Sequence, residues 1–289
     1  MLGVAAYGLW GVLPIYFKAL GGIAAVDIVA HRVLWSLPFL AVLLMVTRGW
    51  GEVAQAIRRR RTLLLLLGTA ILVGINWLLY VHAVTSGQIL AGSLGYYLNP
   101  LVNVLLGRFV LHERLSKLQW AAVAIAAAGI LALVGGAVDQ LWISLTLAVT
   151  FATYGLLRKI ALVDAIAGLA IETAVLVPLA IGWLAWGLAA GQPSFGADGA
   201  ATGLLLLAGI VSTTPLLLFT AAARRLPYST LGMLQFLAPT LQFLLAVGLY
   251  GEPFGTAHAV AFGAIWTALA LYMLALVRDR VQQAPPPPE

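Results

Sequence analysis

The chain has 289 residues, 62% of them hydrophobic and 9% charged, with a net charge of +6 and a mean hydropathy of +1.02. A soluble domain carries about 25% charged residues, and so few charges do not cover a water-facing surface of this size, which excludes a soluble protein. The nine Trp and nine Tyr exclude a disordered chain, and the absence of Cys excludes disulfides, thiolate nucleophiles and cysteine metal sites.

A helix that crosses the hydrocarbon core needs roughly 20 apolar residues. That length predicts spans at 2–20, 28–47, 62–84, 88–110, 118–137, 140–157, 165–190, 203–223, 228–250 and 257–277, joined by short connections. The alternating pattern of a membrane barrel is missing, so the expected fold class is an all-α integral membrane protein of ten transmembrane helices. The first span starts at Met1 with no positive n-region, which reads as a membrane helix and not as a cleaved signal. Its abrupt start points to a short leader upstream. Residues 278–289, with Pro285 to Pro288, are expected to form a disordered cytoplasmic tail.

Basic residues mark the cytoplasmic side of membrane proteins. With a cytoplasmic N-terminus, the inner loops and helix ends take Arg48, Arg58 to Arg61, Arg108, Arg114, Lys117, Arg158, Lys159, Arg224, Arg225, Arg278 and Arg280, which is 14 of the 16 Lys and Arg. Only Lys18 and Arg32 fall on the outer side. Both termini are therefore expected inside, and Arg58 to Arg61 is read as a topology determinant, not a nucleic-acid site.

Residues 98–113 align without a gap on 237–252. Leu98 falls on Leu237, Pro100 on Pro239, Asn103 on Gln242 and Glu113 on Glu252; at an offset of 140, Arg32 falls on Glu172 and Pro38 on Pro178. The similarity predicts two five-helix repeats, 1–138 and 139–277. An odd number of helices inverts the second repeat in the bilayer, an architecture of transporters whose substrate site lies near the midplane between the halves.

Proline falls in six spans, at Pro14, Pro38, Pro100, Pro178, Pro215 and Pro239. Each removes a backbone donor, and helix breaks at Pro100 and Pro239 stand out because amides follow at Asn103 and Gln242. Helical spacing gathers Tyr96, Asn99 and Asn103 on one face, Asn76 and Tyr80 on another with Trp77 beside it, and Gln235 with Gln242 on a third, while Tyr154 flanks a threonine stripe. Such faces avoid lipid and serve either as interhelical glue or as the lining of a cavity. Lys18, Arg32 and Glu172 are the charged candidates. Glu172 lies about two turns into its span, where a carboxylate costs about 2.5–3.5 kcal/mol on insertion scales, and it suits either proton coupling or an ion pair with Arg158 or Lys159. Lys18, Asp27 and His31 are expected to reach for the interface.

The stretches YGLWGVLPIYFKAL (Tyr7 to Leu20), Ala30 to Ser36 (AHRVLWS), Gly74 to Trp77 (GINW) and Gly95 to Leu101 (GYYLNPL) resemble the RarD-type permeases of the EamA branch of the drug/metabolite transporters. The similarity continues through Glu113 to Leu115, Tyr154 to Lys159 and Ile171 to Thr173, and departs at the short N-terminus. It implies ten helices in two inverted repeats, a bacterial inner-membrane location, and export of small metabolites or drugs.

The expected function is thus a secondary transporter working by alternating access, with a small-molecule substrate, the lipid bilayer as its surroundings, and no cofactor, metal or nucleic-acid partner. A cationic outer mouth weakly favours solutes with a carboxylate. A passive channel is the alternative. An intramembrane enzyme is disfavoured, because no nucleophile–base pair, carboxylate pair or metal-ligand set assembles at depth.

Overall fold

The computed structural model describes residues 1–85, 89–134, 141–192, 194–196, 198–249 and 256–283, and among these the regular structure is entirely helical. In chain order the helices are α1 (Leu2–Ala19), α2 (Ala25–Val46), α3 (Trp50–Arg58), α4 (Arg60–Thr85), α5 (Ile89–Phe109), α6 (Lys117–Val134), α7 (Leu141–Ile160), α8 (Ala165–Ala189), α9 (Gly199–Arg225), α10 (Tyr228–Leu234), α11 (Leu237–Gly248) and α12 (Thr256–Gln283). Among the described residues, seven are long and apolar enough to cross a membrane: α1, α2, α4, α7, α8, α9 and α12. In lipid a helix meets its backbone hydrogen-bonding needs within the segment, which is why apolar runs of this length adopt it.

Helix starts follow local chemistry. Asp164 caps α8 by accepting from the Ile166 amide at 3.0 Å, and Asp198 caps α9 by accepting from the amides of Ala200 and Ala201. α12 runs past Val277 to Gln283, into the stretch expected as tail; residues 284–289 and Glu252 lie outside the described residues.

Two expectations about helix boundaries need correction. α5 is continuous through Pro100, so no break occurs there: well-formed turns on both sides absorb the loss of one bond. At Pro239 the break is present. Pro239 has no N–H to offer the Gln235 carbonyl, the Ala238 amide donates to that carbonyl at 3.1 Å in a tighter turn, and the expected span 228–250 becomes α10 and α11. The short helix α3 was not foreseen. It is amphipathic, with Trp50, Val53 and Ile57 on one face, and these side chains cover an apolar groove of about 380 Å³ floored by α2 and α8.

The main packing partners are α2 with α8 and α9, α1 with α9 and α11, α4 with α7 and α8, α5 with α7 and α10, and α6 with α12. α6 and α12 meet at small residues, since a Cβ on Gly129 would lie 2.6 Å from the Ala264 Cβ. Without a hydrophobic driving force between helices in lipid, close approach of this kind supplies the packing energy. A ring cluster of Tyr7 and Trp10 from α1, Phe151 and Tyr154 from α7 and Phe219 from α9 joins three helices, with centroids 5.3 to 6.4 Å apart.

Candidate functional site

Three polar groups form inside the helix bundle. In the first, Glu172 of α8 is buried and lies with Oε1 at 3.5 Å from Nε of Arg158, itself fully buried on α7. Thr69 of α4 donates to Oε1 at 2.5 Å and Tyr154 donates to Oε2 at 3.2 Å. Arg158 also donates through Nη2 to the Ala165 carbonyl at 3.1 Å, closing the α7–α8 turn. The guanidinium fits because residue 168 is glycine; a Cβ there would overlap it. Of the two cations considered for Glu172 it is Arg158 that pairs, while Lys159 donates to the carbonyls of Ala223 and Leu226. Two turns along α4 from Thr69, Asn76 donates to the Leu147 carbonyl at 2.9 Å and to the Thr150 hydroxyl at 3.0 Å, bonding α4 to α7.

The second group surrounds a narrow cleft of about 10 Å³, room for a single water, where α2, α4, α8 and α9 converge. Arg32 of α2 lays its guanidinium over the Trp77 ring of α4, with Cζ 3.9 Å from the ring centroid. Both side chains line the cleft together with the hydroxyls of Ser36, Thr173, Ser212 and Thr213, and Val33, Leu169, Leu176 and Leu216 supply its apolar walls. Thr213 donates to the Ser36 hydroxyl at 2.6 Å, and Ser36 donates to the Arg32 carbonyl at 2.5 Å. Near the outer approach expected for this cleft, Tyr80 of α4 and Tyr96 of α5 meet edge to face at 5.5 Å.

The third group lies at the α10–α11 break. Asn103 of α5 donates to Gln235 Oε1 at 2.9 Å, and Gly232 lets the helices touch, since a Cβ there would lie 2.8 Å from the Pro100 carbonyl oxygen. Asn99, one turn earlier, is buried with neither amide atom hydrogen-bonded among the described residues. Gln242 is not part of this group: it is exposed on α11 and donates to the Trp10 carbonyl at 3.2 Å. Lys18 is exposed in the last turn of α1.

The structure thus brings Glu172 to Tyr154, Arg32 to Trp77, Tyr80 to Tyr96 and Asn103 to Gln235, and leaves Gln242 outside these groups. His31 and Asp27 do not simply reach for the interface. His31 is buried, stacked on Phe195 at 5.3 Å and sharing a hydrogen bond with Ser194 at 3.2 Å, and Asp27 accepts from Trp183 Nε1 at 2.8 Å. Sequence reasoning missed the four cleft hydroxyls and the role of Glu113. The Glu113 carboxylate accepts from the amides of Tyr228 and Ser229 and from the Ser229 hydroxyl, holding the start of α10. For Ser36 the signal was its spacing of four from Arg32, and for Thr173 its place beside Glu172.

Comparison with known proteins adds to this geometry. The EamA-like transporter family matches residues 1–135. An uncharacterized transporter of Vibrio cholerae is 47% identical over 94% of this chain and 90% of its own length. The RarD proteins of Salmonella typhimurium and Escherichia coli K12 are 44% and 43% identical, each over 95% of this chain and over 94% and 93% of their own lengths. The chain belongs to the RarD-type permeases of the EamA family. A solved crystal structure, 22% identical over 94% of this chain and 96% of that one, superposes with a TM-score of 0.74, so this RarD-type chain shares its fold. A multi-pass membrane transporter of the drug/metabolite type follows from this membership.

Proposed function

We propose that the chain moves a small organic solute across the bacterial inner membrane, outward and by alternating access, with both termini cytoplasmic. Ten spans are the basis of this reading, α10 and α11 together making the ninth, in inverted repeats over 1–138 and 139–277. The helix pairings support it. Exchanging each span for the one five places on turns α1–α9 into α7–α4, α5–α7 into α11–α1, and α2–α9 into α8–α4. The pairs α2–α8, α5–α10 and α6–α12 map onto themselves. The family match ending at residue 135 agrees with the proposed boundary.

One observation carries the functional reading: the Arg32–Trp77 cleft takes α2 and α4 from the first repeat and α8 and α9 from the second. A site shared by two halves changes shape when one half rocks against the other. Glu172 is engaged by a guanidinium and two hydroxyls, which favours a structural role for it over proton coupling.

The test is solute counterflow in proteoliposomes, with a metabolite panel chosen from cells that overproduce or lack the protein. A transporter gives saturable flux that unlabelled solute on the far side accelerates. A passive channel gives linear flux with no such acceleration, and that result would remove alternating access.

A further inference from the structure

We propose that the Arg32–Trp77 cleft binds the carboxylate of an organic monoanion with an apolar body, Arg32 being its counter-charge. This rests on the transporter reading only in taking the cleft as the solute site.

Arg32 is the eighth residue of α2, about 10 Å along the helix at 1.5 Å per residue. A cation at that depth is costly, and intramembrane cations are normally paired. Arg158 has Glu172. The guanidinium of Arg32 has no carboxylate and donates no hydrogen bond among the described residues. Asp27, the acidic residue nearest in sequence, is already engaged by Trp183.

The contact Arg32 does make leaves its donors available. The Trp77 ring neutralises none of the charge and accepts none of the N–H bonds of the guanidinium, which keeps the donors that hold a carboxylate through two parallel bonds. Two further donors line the same cleft: Thr173 and Ser212 are buried residues whose hydroxyls make no hydrogen bond among the described residues. Serine and threonine in membrane helices ordinarily bond a carbonyl of their own helix, as Thr150, Thr146 and Thr214 do here.

The repeat sharpens the contrast. At an offset of 140, Lys18 and Arg32 stand where the second half has Arg158 and Glu172. The second half closes a cation–anion pair within itself, while the first half has cations at both positions. A single guanidinium matches one negative charge, not two; the cleft holds only about 10 Å³ as it stands, so the apolar body enters when the Val33, Leu169, Leu176 and Leu216 walls part as the two halves rock.

The experiment measures binding to the purified full chain by calorimetry, with phenylacetate, phenylacetamide and phenethylammonium as anionic, neutral and cationic probes of one size. Phenylacetate is expected to bind saturably and the other two at least tenfold more weakly. Arg32→Gln is expected to weaken phenylacetate roughly tenfold or more, the effect of losing a charge-assisted pair of bonds, with Arg32→Lys in between. Thr173→Val keeps the charge, so it tests the cleft even if Arg32→Gln does not fold, and a loss of roughly fivefold is expected for one hydrogen bond. Equal affinity for the three probes, no binding of any, or variants that bind phenylacetate as tightly as the unaltered chain would overturn the proposal. Phenylacetate counterflow then separates the two readings. Binding without flux leaves the anion site and removes the transporter, whereas saturable flux of cations that ignores Arg32→Gln leaves the transporter and removes the anion site.

Discussion

Arg158→Ala is expected to destabilise the protein by about 3–5 kcal/mol, the cost of leaving one member of a buried ion pair uncompensated. Arg158 and Glu172 are both shut away from solvent, and the guanidinium also closes the α7–α8 turn through the Ala165 carbonyl. Removing it leaves a buried carboxylate with only Thr69 and Tyr154 as donors. Glu172→Gln keeps a side chain of the same shape but strands the guanidinium, so a loss of similar sign and smaller size is expected. The double variant Arg158→Met/Glu172→Leu removes both charges at similar volume and is expected to recover most of the loss, because apolar replacement of a buried pair is often neutral or better. Thermal unfolding of the detergent-solubilised variants checks the series. If the double variant is as unstable as Arg158→Ala, the damage lies in lost packing and not in the unpaired charge.

Gly209→Val is expected to cost about 3 kcal/mol or more, the upper end of overpacking penalties. At this residue α9 touches the backbone of α2: a Cβ on Gly209 would overlap the Trp35 carbonyl and the Ser36 amide, neither of which can move without the helix. The Ser36 hydroxyl also lies 3.4 Å from the Gly209 carbonyl oxygen, and Thr213 one turn on bonds Ser36. Any side chain at 209 therefore forces α9 away from α2 and opens the cleft beside Arg32. Gly203 lies on the same helix with nothing within 4 Å of its missing Cβ. Gly203→Ala is expected to be neutral or to stabilise by about 0.5–1 kcal/mol through helix propensity. Unfolding temperatures of the two variants separate contact from propensity; equal effects would mean that α2 and α9 do not touch where the structure has them.

Most of the bundle was legible in the sequence because apolar runs near 20 residues leave few alternatives to a membrane helix. α3 was not, because nine residues with Glu52 and Arg58 fall below that length; only the spacing of Trp50, Val53 and Ile57 marked it. The two aligned prolines behave differently because Pro100 lies in mid-helix, whereas Pro239 stands one turn past a carbonyl that already bonds in a tighter turn. Arg32 and Trp77 were each recognisable as polar or aromatic residues within spans, but 45 positions separate them and no periodicity links α2 to α4. The Ser212 and Thr213 hydroxyls had no signal at all, since such residues usually bond their own helix. Glu113 was visible as a member of the repeat, yet its contact, the start of α10, is a tertiary one.

The proposed inverted arrangement of two halves is tested most directly by labelling single cysteines, and the chain has none of its own to remove. In the proposed ten-span topology, Arg114→Cys and Glu252→Cys place a thiol in the loop after the fourth span and in the corresponding loop after the ninth. A membrane-impermeant maleimide applied to intact cells is expected to label position 252 and to reach position 114 only after the membrane is opened. Labelling of both positions from the same side would contradict the inverted repeat and, with it, the alternating-access mechanism.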